Sequence, residues 1–310
     1  MKSSSLALDQ RVEYLQTDEG KSPLPTRANS TPSSIRLLRF AFNVLGPVFP
    51  RFAGNLVYRL FTTPQRRAKH KISDATLESA RLFEFMYEGQ ILKGYEWGSG
   101  TQTCLLVHGW ESRGTALRSF VPDLVEKGYR VVTFDAPAHG HSAGKQIDLP
   151  HFGGAIRAII RHIGSVDTVI AHSFGGASLV YTMANMDNSI HLDRLVLIAS
   201  PSRMEKMMEN FARFLRIPRS VKRRFRQILE NRVSRPLEEV GLSSTLPKIN
   251  AKQILLVHDR YDKVVPFAEA ETVLNNWESV SLVVTEGLGH FQLMKNPKLI
   301  KRVMQFIQQD

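Results

Sequence analysis

Two serines in this 310-residue chain stand in the pattern small-x-Ser-x-Gly. Gly140-His141-Ser142-Ala143-Gly144 has glycine on both sides, whereas Ala171-His172-Ser173-Phe174-Gly175 has alanine first. A nucleophilic serine needs a sharp strand-to-helix turn, and small residues two positions away let the two backbones approach. The letters alone are weak, because composition yields roughly 0.3 such matches by chance in a chain like this one. Neighbourhood separates the two. Ser173 follows the strand-like run Val169-Ile170-Ala171 and precedes Gly175 to Tyr181, a helical run whose first amides would face the hydroxyl. Ser142 follows the loop Ala136-Pro137-Ala138-His139 and leads into Lys145 to Pro150, which is no helix start, so it is expected to shape a turn after Asp135. His139 and His141 stand at i, i+2 with no carboxylate or further histidine at useful spacing, so they do not read as a metal site. No phosphate loop, dinucleotide fingerprint or zinc spacing is present, and neither metal nor cofactor is expected.

The elements that must position these residues are legible from about residue 90 onward. Strands are expected at 91–97, 103–107, 130–134, 168–171, 195–198, 254–257 and 281–284. Runs such as Cys104-Leu105-Leu106-Val107 are apolar throughout, as in strands covered on both faces. Helices are expected at 116–127, 151–163, 175–186, 267–277 and 297–308. This alternation implies an α/β fold, a mostly parallel central sheet with helices on both faces. Ligands of such sheets bind beyond the carboxyl ends of the strands.

With these elements in place the chain, over about residues 90 to 310, resembles the α/β-hydrolase fold family. The resemblance rests on an ordered set: His108-Gly109-Trp110, Asp135-Ala136-Pro137-Ala138-His139-Gly140-His141-Ser142, the Ser173 elbow, Asp262 before Val264-Val265-Pro266, and Gly289-His290-Phe291. The second of these is similar to the family's turn Asp-x-x-Gly-x-Gly-x-Ser, with Ala138 and His139 shifting the small residues. The resemblance implies a serine hydrolase acting on a carboxylic ester or thioester through an acyl-enzyme, with Ser173, Asp262 and His290 in the order Ser, Asp, His. His290 would take the serine proton from a Gly-flanked turn after the last strand, and Asp262 would orient the imidazole. Asp259, in the same loop, is the competing acid. The backbone amides of Trp110 and Phe174 would form the oxyanion hole, and the side chains of Trp110 and His172 would contact substrate. His108 and His172 also read as residues that orient loops by hydrogen bonding. Serine rather than aspartate at the elbow argues against haloalkane or epoxide chemistry. An acyltransferase on the same fold, or a non-catalytic ligand-binding or scaffold module at a membrane surface, fits the same residues.

Composition sets the frame around that core. With 43% hydrophobic and 23% charged residues the chain can bury one substantial domain, and it is neither disordered nor a disulfide scaffold. Its lone Cys104 points to a reducing, cytoplasmic setting. The expected organisation is a polar, disordered arm over 1–34, a basic amphipathic extension over 35–74, a core over 75–200 and 247–310, and a basic helical cap insertion over 201–246. The net charge of +12 is concentrated: residues 20–73 hold ten Lys/Arg and no acid, and residues 203–235 hold eleven basic against three acidic residues. That pattern suits an anionic ligand or an anionic membrane surface, peripheral at the inner face, and solvated helix faces give the same pattern. An amphiphile with an anionic head, such as a lysophospholipid or acyl-CoA, would match it. Nucleic acid is a weaker partner, since no reading motif accompanies the charge. Ile35 to Phe61 sets arginines among aromatic and aliphatic residues, as in a helix lying in a membrane interface or one packed on the main domain. The apolar stretch Phe40 to Pro50 falls short of the ~20 residues that cross a bilayer, and the first 34 residues lack the apolar centre of a secretory signal.

Overall fold

The computed structural model describes residues 10–17, 32–68 and 75–309. In chain order it contains β1 (Val12–Tyr14), α1 (Ser33–Val44), α2 (Pro50–Thr62), α3 (Ala75–Glu78), β2 (Arg81–Tyr87), β3 (Gln90–Trp97) and β4 (Gln102–Val107). A 3-10 segment (Gly114–Phe120) then leads to α4 (Val121–Glu126), β5 (Tyr129–Phe134), α5 (Leu149–Ile163), β6 (Thr168–His172), α6 (Phe174–Asn185) and β7 (His191–Ile198). After these come α7 (Met204–Leu215), α8 (Arg219–Val233), α9 (Leu242–Thr245), β8 (Asn250–Asp259), α10 (Ala268–Asn276), β9 (Val280–Thr285), α11 (Gly289–Gln292) and α12 (Pro297–Gln308).

The nine strands form one sheet in the order β1-β9-β8-β7-β6-β4-β5-β3-β2. Only β3 is reversed: it pairs antiparallel with both β2 and β5, and the other pairs are parallel. Each expected strand is present. The apolar runs in β4, β6 and β8 are buried because helices cover both sheet faces. One face packs under α2, α5, α6, α7, α8 and α10, the other under the 3-10 segment, α4 and α12.

Local chemistry sets the helix ends. Asp148 caps α5 by accepting the His151 amide at 3.0 Å, and Pro150 fixes the first turn. Asn296 caps α12 in the same way, through the Leu299 amide at 3.1 Å.

Four expectations need correction. The helix expected over 116–127 is a 3-10 turn followed by a short α-helix. The backbone leaves helical geometry at Leu117, and Pro122 supplies a fresh helix start. The arm expected without structure over 1–34 includes β1, which adds a parallel edge strand to β9, and the first two residues of α1. The remainder of that arm, together with residues 69–74 of the extension, lies outside the described residues. The single helix expected over 35–61 is two helices, broken at Gly46-Pro47, with Pro50 opening the second. Finally, β2 is an additional strand. It is joined to β3 by the two-residue turn Glu88-Gly89, whose φ angles of 47° and 71° suit a tight hairpin.

Candidate active site

Parallel strands deliver their carboxyl ends to one rim, and there β6 ends at His172 and α6 begins at Phe174. Ser173 between them has φ 54° and ψ −128°, a conformation that L-residues rarely hold and that lifts its side chain out of the turn. The turn closes because its neighbours are small: a Cβ on Gly175 would lie 2.2 Å from the His108 carbonyl oxygen, and one on Gly176 would lie 2.1 Å from Ser200 Oγ. Ser173 N is tied to the Ile198 carbonyl at 2.8 Å, which anchors the turn to β7.

His290 reaches this serine from α11. Gly287 and Gly289, at φ 94° and 58°, fold the chain back after β9 and bring the ring over the sheet edge. Its Nε2 lies 3.0 Å from Ser173 Oγ, within reach of the hydroxyl proton. Its Nδ1 lies 2.7 Å from Asp262 Oδ2. The second oxygen of Asp262 accepts the amides of Val264 at 2.7 Å and Val265 at 2.9 Å, so the carboxylate is held from both sides. Burial alone would raise the Asp262 carboxyl, but the hydrogen bond and charge of His290, with those two amides, hold it below the ordinary carboxylate range. His258 secures the same loop by donating to the Val265 carbonyl at 2.8 Å.

Asp259 is used elsewhere. It accepts the Thr285 hydroxyl at 2.8 Å and the Leu288 amide at 2.9 Å, and so braces the loop that carries His290. Ser142 is buried and fully engaged: its hydroxyl donates to the Asp135 carbonyl and accepts the Lys93 amide at 2.9 Å. It shapes a turn, as its setting predicts.

Phe174 N is the first amide of α6, where helix geometry supplies no intrahelical partner. Trp110 stands opposite on the loop after β4, its ring edge-on to Phe174 with centroids 5.6 Å apart. Two buried histidines build that loop. His108 accepts the Ala136 amide at 3.0 Å, and His139 accepts the Glu111 amide at 3.0 Å beside Trp110. Burial, then the nearby His108, pushes His139 down to about 3, so its Nε2 stays an acceptor.

A cavity of about 640 Å³ opens from Ser173. Trp110 and Phe174 line it, with Phe61 from α2, Met207 and Phe211 from α7, and Leu229 from α8. His172 does not line it. Its ring lies behind that of His290, where Nε2 meets the His290 carbonyl at 3.0 Å, so the expected substrate contact is replaced by the loop-orienting role. Burial, then His290, lowers His172 to about 3, which keeps it neutral.

Sequence reading missed the charged cluster at the cavity edge. Asp148 accepts the Tyr58 hydroxyl of α2 and Arg232 Nε of α8, both at 2.7 Å, and pairs with His151 Nδ1 at 2.7 Å. The run Asp148-Leu149-Pro150 signals a helix start, but nothing local names its two distant partners.

A scan of protein families matches residues 104–300 to the model described as the alpha/beta hydrolase family. The chain belongs to the alpha/beta hydrolase family. Among curated proteins the chain is 35% identical over 92 residues to a non-heme haloperoxidase of Rhodococcus erythropolis, covering 29% of this chain and 33% of that one. It is 26% identical over 121 residues to a bifunctional esterase/perhydrolase of Acinetobacter calcoaceticus, covering 37% and 43%. The matches thus span less than half the length of these relatives.

Its fold is similar to that of the Pyrococcus furiosus esterase Pf2001, with TM-score 0.59 and 20% identity, covering 78% of this chain and 97% of that one. A membrane phospholipase A described as a bacterial virulence factor gives TM-score 0.57 and 21% identity, covering 88% and 96%.

Proposed function

We propose that this hydrolase cleaves a carboxylic ester or thioester through an acyl-enzyme on Ser173. The observation that carries the reading is the unbroken line from Ser173 Oγ to His290, at 3.0 Å, and from His290 to Asp262, at 2.7 Å, beside an apolar cavity. As Ser173 Oγ bonds to the acyl carbon, His290 Nε2 takes its proton and the carbonyl π electrons move to oxygen. The amides of Phe174 and Trp110 receive that oxyanion. His290 then protonates the departing alcohol or thiol, and water, deprotonated by the same ring, releases the acid. Asp262 holds the ring in the tautomer that presents Nε2 as a base.

The apolar walls suit an acyl chain, and the reading treats 75–200 and 247–310 as the core, with 201–246 as a helical insertion over the cavity. An acyl-enzyme can also pass its acyl group to an acceptor other than water. The partial relative named as an esterase/perhydrolase supports keeping that outcome in the test.

The experiment is a panel of short and long p-nitrophenyl esters and acyl-CoA thioesters, run on wild type and Ser173→Ala with product analysis. Turnover by wild type that falls about 10⁴-fold or more in Ser173→Ala supports the reading. Equal rates in both would remove it.

A further inference from the structure

The α1–α2 pair satisfies only one of its two apolar stripes within the molecule. Phe42, Ala53 and Val57 are buried, and the helices are held on α8 by contacts such as Gly54 against Arg224 and Gly46 against Val221. The other stripe faces water. Leu37, Phe40 and Val44, at i, i+3 and i+7 on α1, are 69%, 67% and 51% exposed, and Val48, Phe49 and Phe52 continue the surface at 66%, 58% and 72%. A soluble protein ordinarily covers a surface of this kind.

The charge around it has one sign. Neither helix contains an acid, and residues 32–68 carry six arginines and no Asp or Glu. Arg36 and Arg51 are exposed beside the stripe and make no ion pair with a described residue. The start of α8 adds Arg219, Lys222 and Arg223, also exposed and without such a pair. The junction of α7 and α8 lies against α1, where Arg39 donates to the Phe214 carbonyl at 2.7 Å and Asn43 to the Arg216 carbonyl at 3.1 Å. Phe214, 52% exposed, both touches Arg39 and lines the cavity that opens from Ser173.

We propose that this face docks on an anionic lipid bilayer. Phe40, Val48, Phe49 and Phe52 enter the interfacial layer, and the surrounding arginines with Lys222 meet the lipid phosphates. Either signal alone gives marginal attachment, whereas an apolar stripe with a basic rim gives a stable peripheral one. Because Phe214 joins the docking face to the cavity wall, the docked protein receives acyl chains from the membrane. That last link rests on the ester-hydrolase reading, while the docking itself does not.

The test is co-sedimentation with vesicles of phosphatidylcholine, alone or with about one-third phosphatidylglycerol, using wild type, Ser173→Ala and the double variant Phe40→Glu/Phe52→Glu. Wild type and Ser173→Ala are expected to bind the anionic vesicles alike. Binding should be at least about tenfold weaker to phosphatidylcholine alone, in high salt, and for the double variant. Both substituted side chains lie outside the cavity, so the double variant should hydrolyse a soluble short ester as wild type does, which also shows that it is folded. The proposal is overturned if the double variant binds anionic vesicles as wild type does, or if wild type binds neither vesicle. A concentration-dependent dimer without lipid, lost in the double variant, would assign the face to a second copy and overturn it too. Failure of Ser173→Ala in hydrolysis, with vesicle binding intact, separates this surface from the chemistry of the cavity.

Discussion

The ring of His172 lies against the back of the His290 ring, with centroids 4.8 Å apart, and its Nε2 bonds to the His290 carbonyl at 3.0 Å. The residue before the elbow serine thus positions the histidine that faces that serine. Replacing it with phenylalanine keeps the volume and removes the bond. His172→Phe is expected to lower kcat by about 10²-fold with KM within about twofold, because a small misplacement of the base slows the reaction more than it weakens binding. His172 is neutral down to about pH 3, so the variant's pH–rate profile should keep the wild-type shape at lower amplitude. Unchanged kcat would deny it a positioning role.

The two aspartates of the loop after β8 should separate cleanly. Asp262→Asn leaves the shape intact but favours the wrong imidazole tautomer, so kcat should fall about 10⁴-fold while the melting temperature changes little. Asp259→Asn weakens the bonds to Thr285 and Leu288 and should mainly lower stability, by about 1–3 kcal/mol. Kinetics paired with thermal melts on both variants checks the assignment, and the reverse pattern would exchange the two roles.

Ser142→Ala should behave as a structural variant. Loss of its hydroxyl removes the bonds to the Lys93 amide and the Asp135 carbonyl, at a cost of about 1–3 kcal/mol. Labelling by a fluorophosphonate should persist at temperatures where the variant is folded.

The Asp148 cluster ties α2 and α8 to α5, and its contribution to stability depends on pH. The hydrogen bonds from His151, Arg232 and Tyr58 outweigh burial and hold the Asp148 carboxyl far below its ordinary range. Its share is therefore present above about pH 4 and lost only in strong acid. The hydrogen bond to Asp148 raises His151, so that share is complete below about pH 6.5 and fades as pH rises through the elevated folded value. Asp148→Asn should cost about 2 kcal/mol, because the Arg232 side chain, 41% exposed, can return to water. The gap in melting temperature between wild type and variant should be wider at pH 5.5 than at pH 8. A gap that is constant, or wider at pH 8, would contradict this coupling.

How far the sequence carried the fold depended on burial. Strands β4 to β9 announced themselves because each carries a buried apolar run covered on both faces, such as Leu195 to Ile198 in β7 and Ile254 to Val257 in β8. The edge strands did not: β1 has three residues, and β2 alternates so loosely that only the Glu88-Gly89 turn marks it. At the site, the serine and histidine were readable from their small neighbours, which serve sharp local turns. His172 was only half legible, since its loop role was visible but whether its ring faces the cavity or the back of His290 depends on packing across 118 residues. The Asp148, Tyr58 and Arg232 contacts were out of reach for the same reason, each partner lying on a different helix.

The most direct measurement is mass spectrometry of the protein after reaction with a fluorophosphonate, locating the adduct by peptide. One adduct is expected, on Ser173, abolished by Ser173→Ala and strongly slowed by His290→Ala. An adduct on Ser142, or equal labelling of wild type and Ser173→Ala, would contradict it.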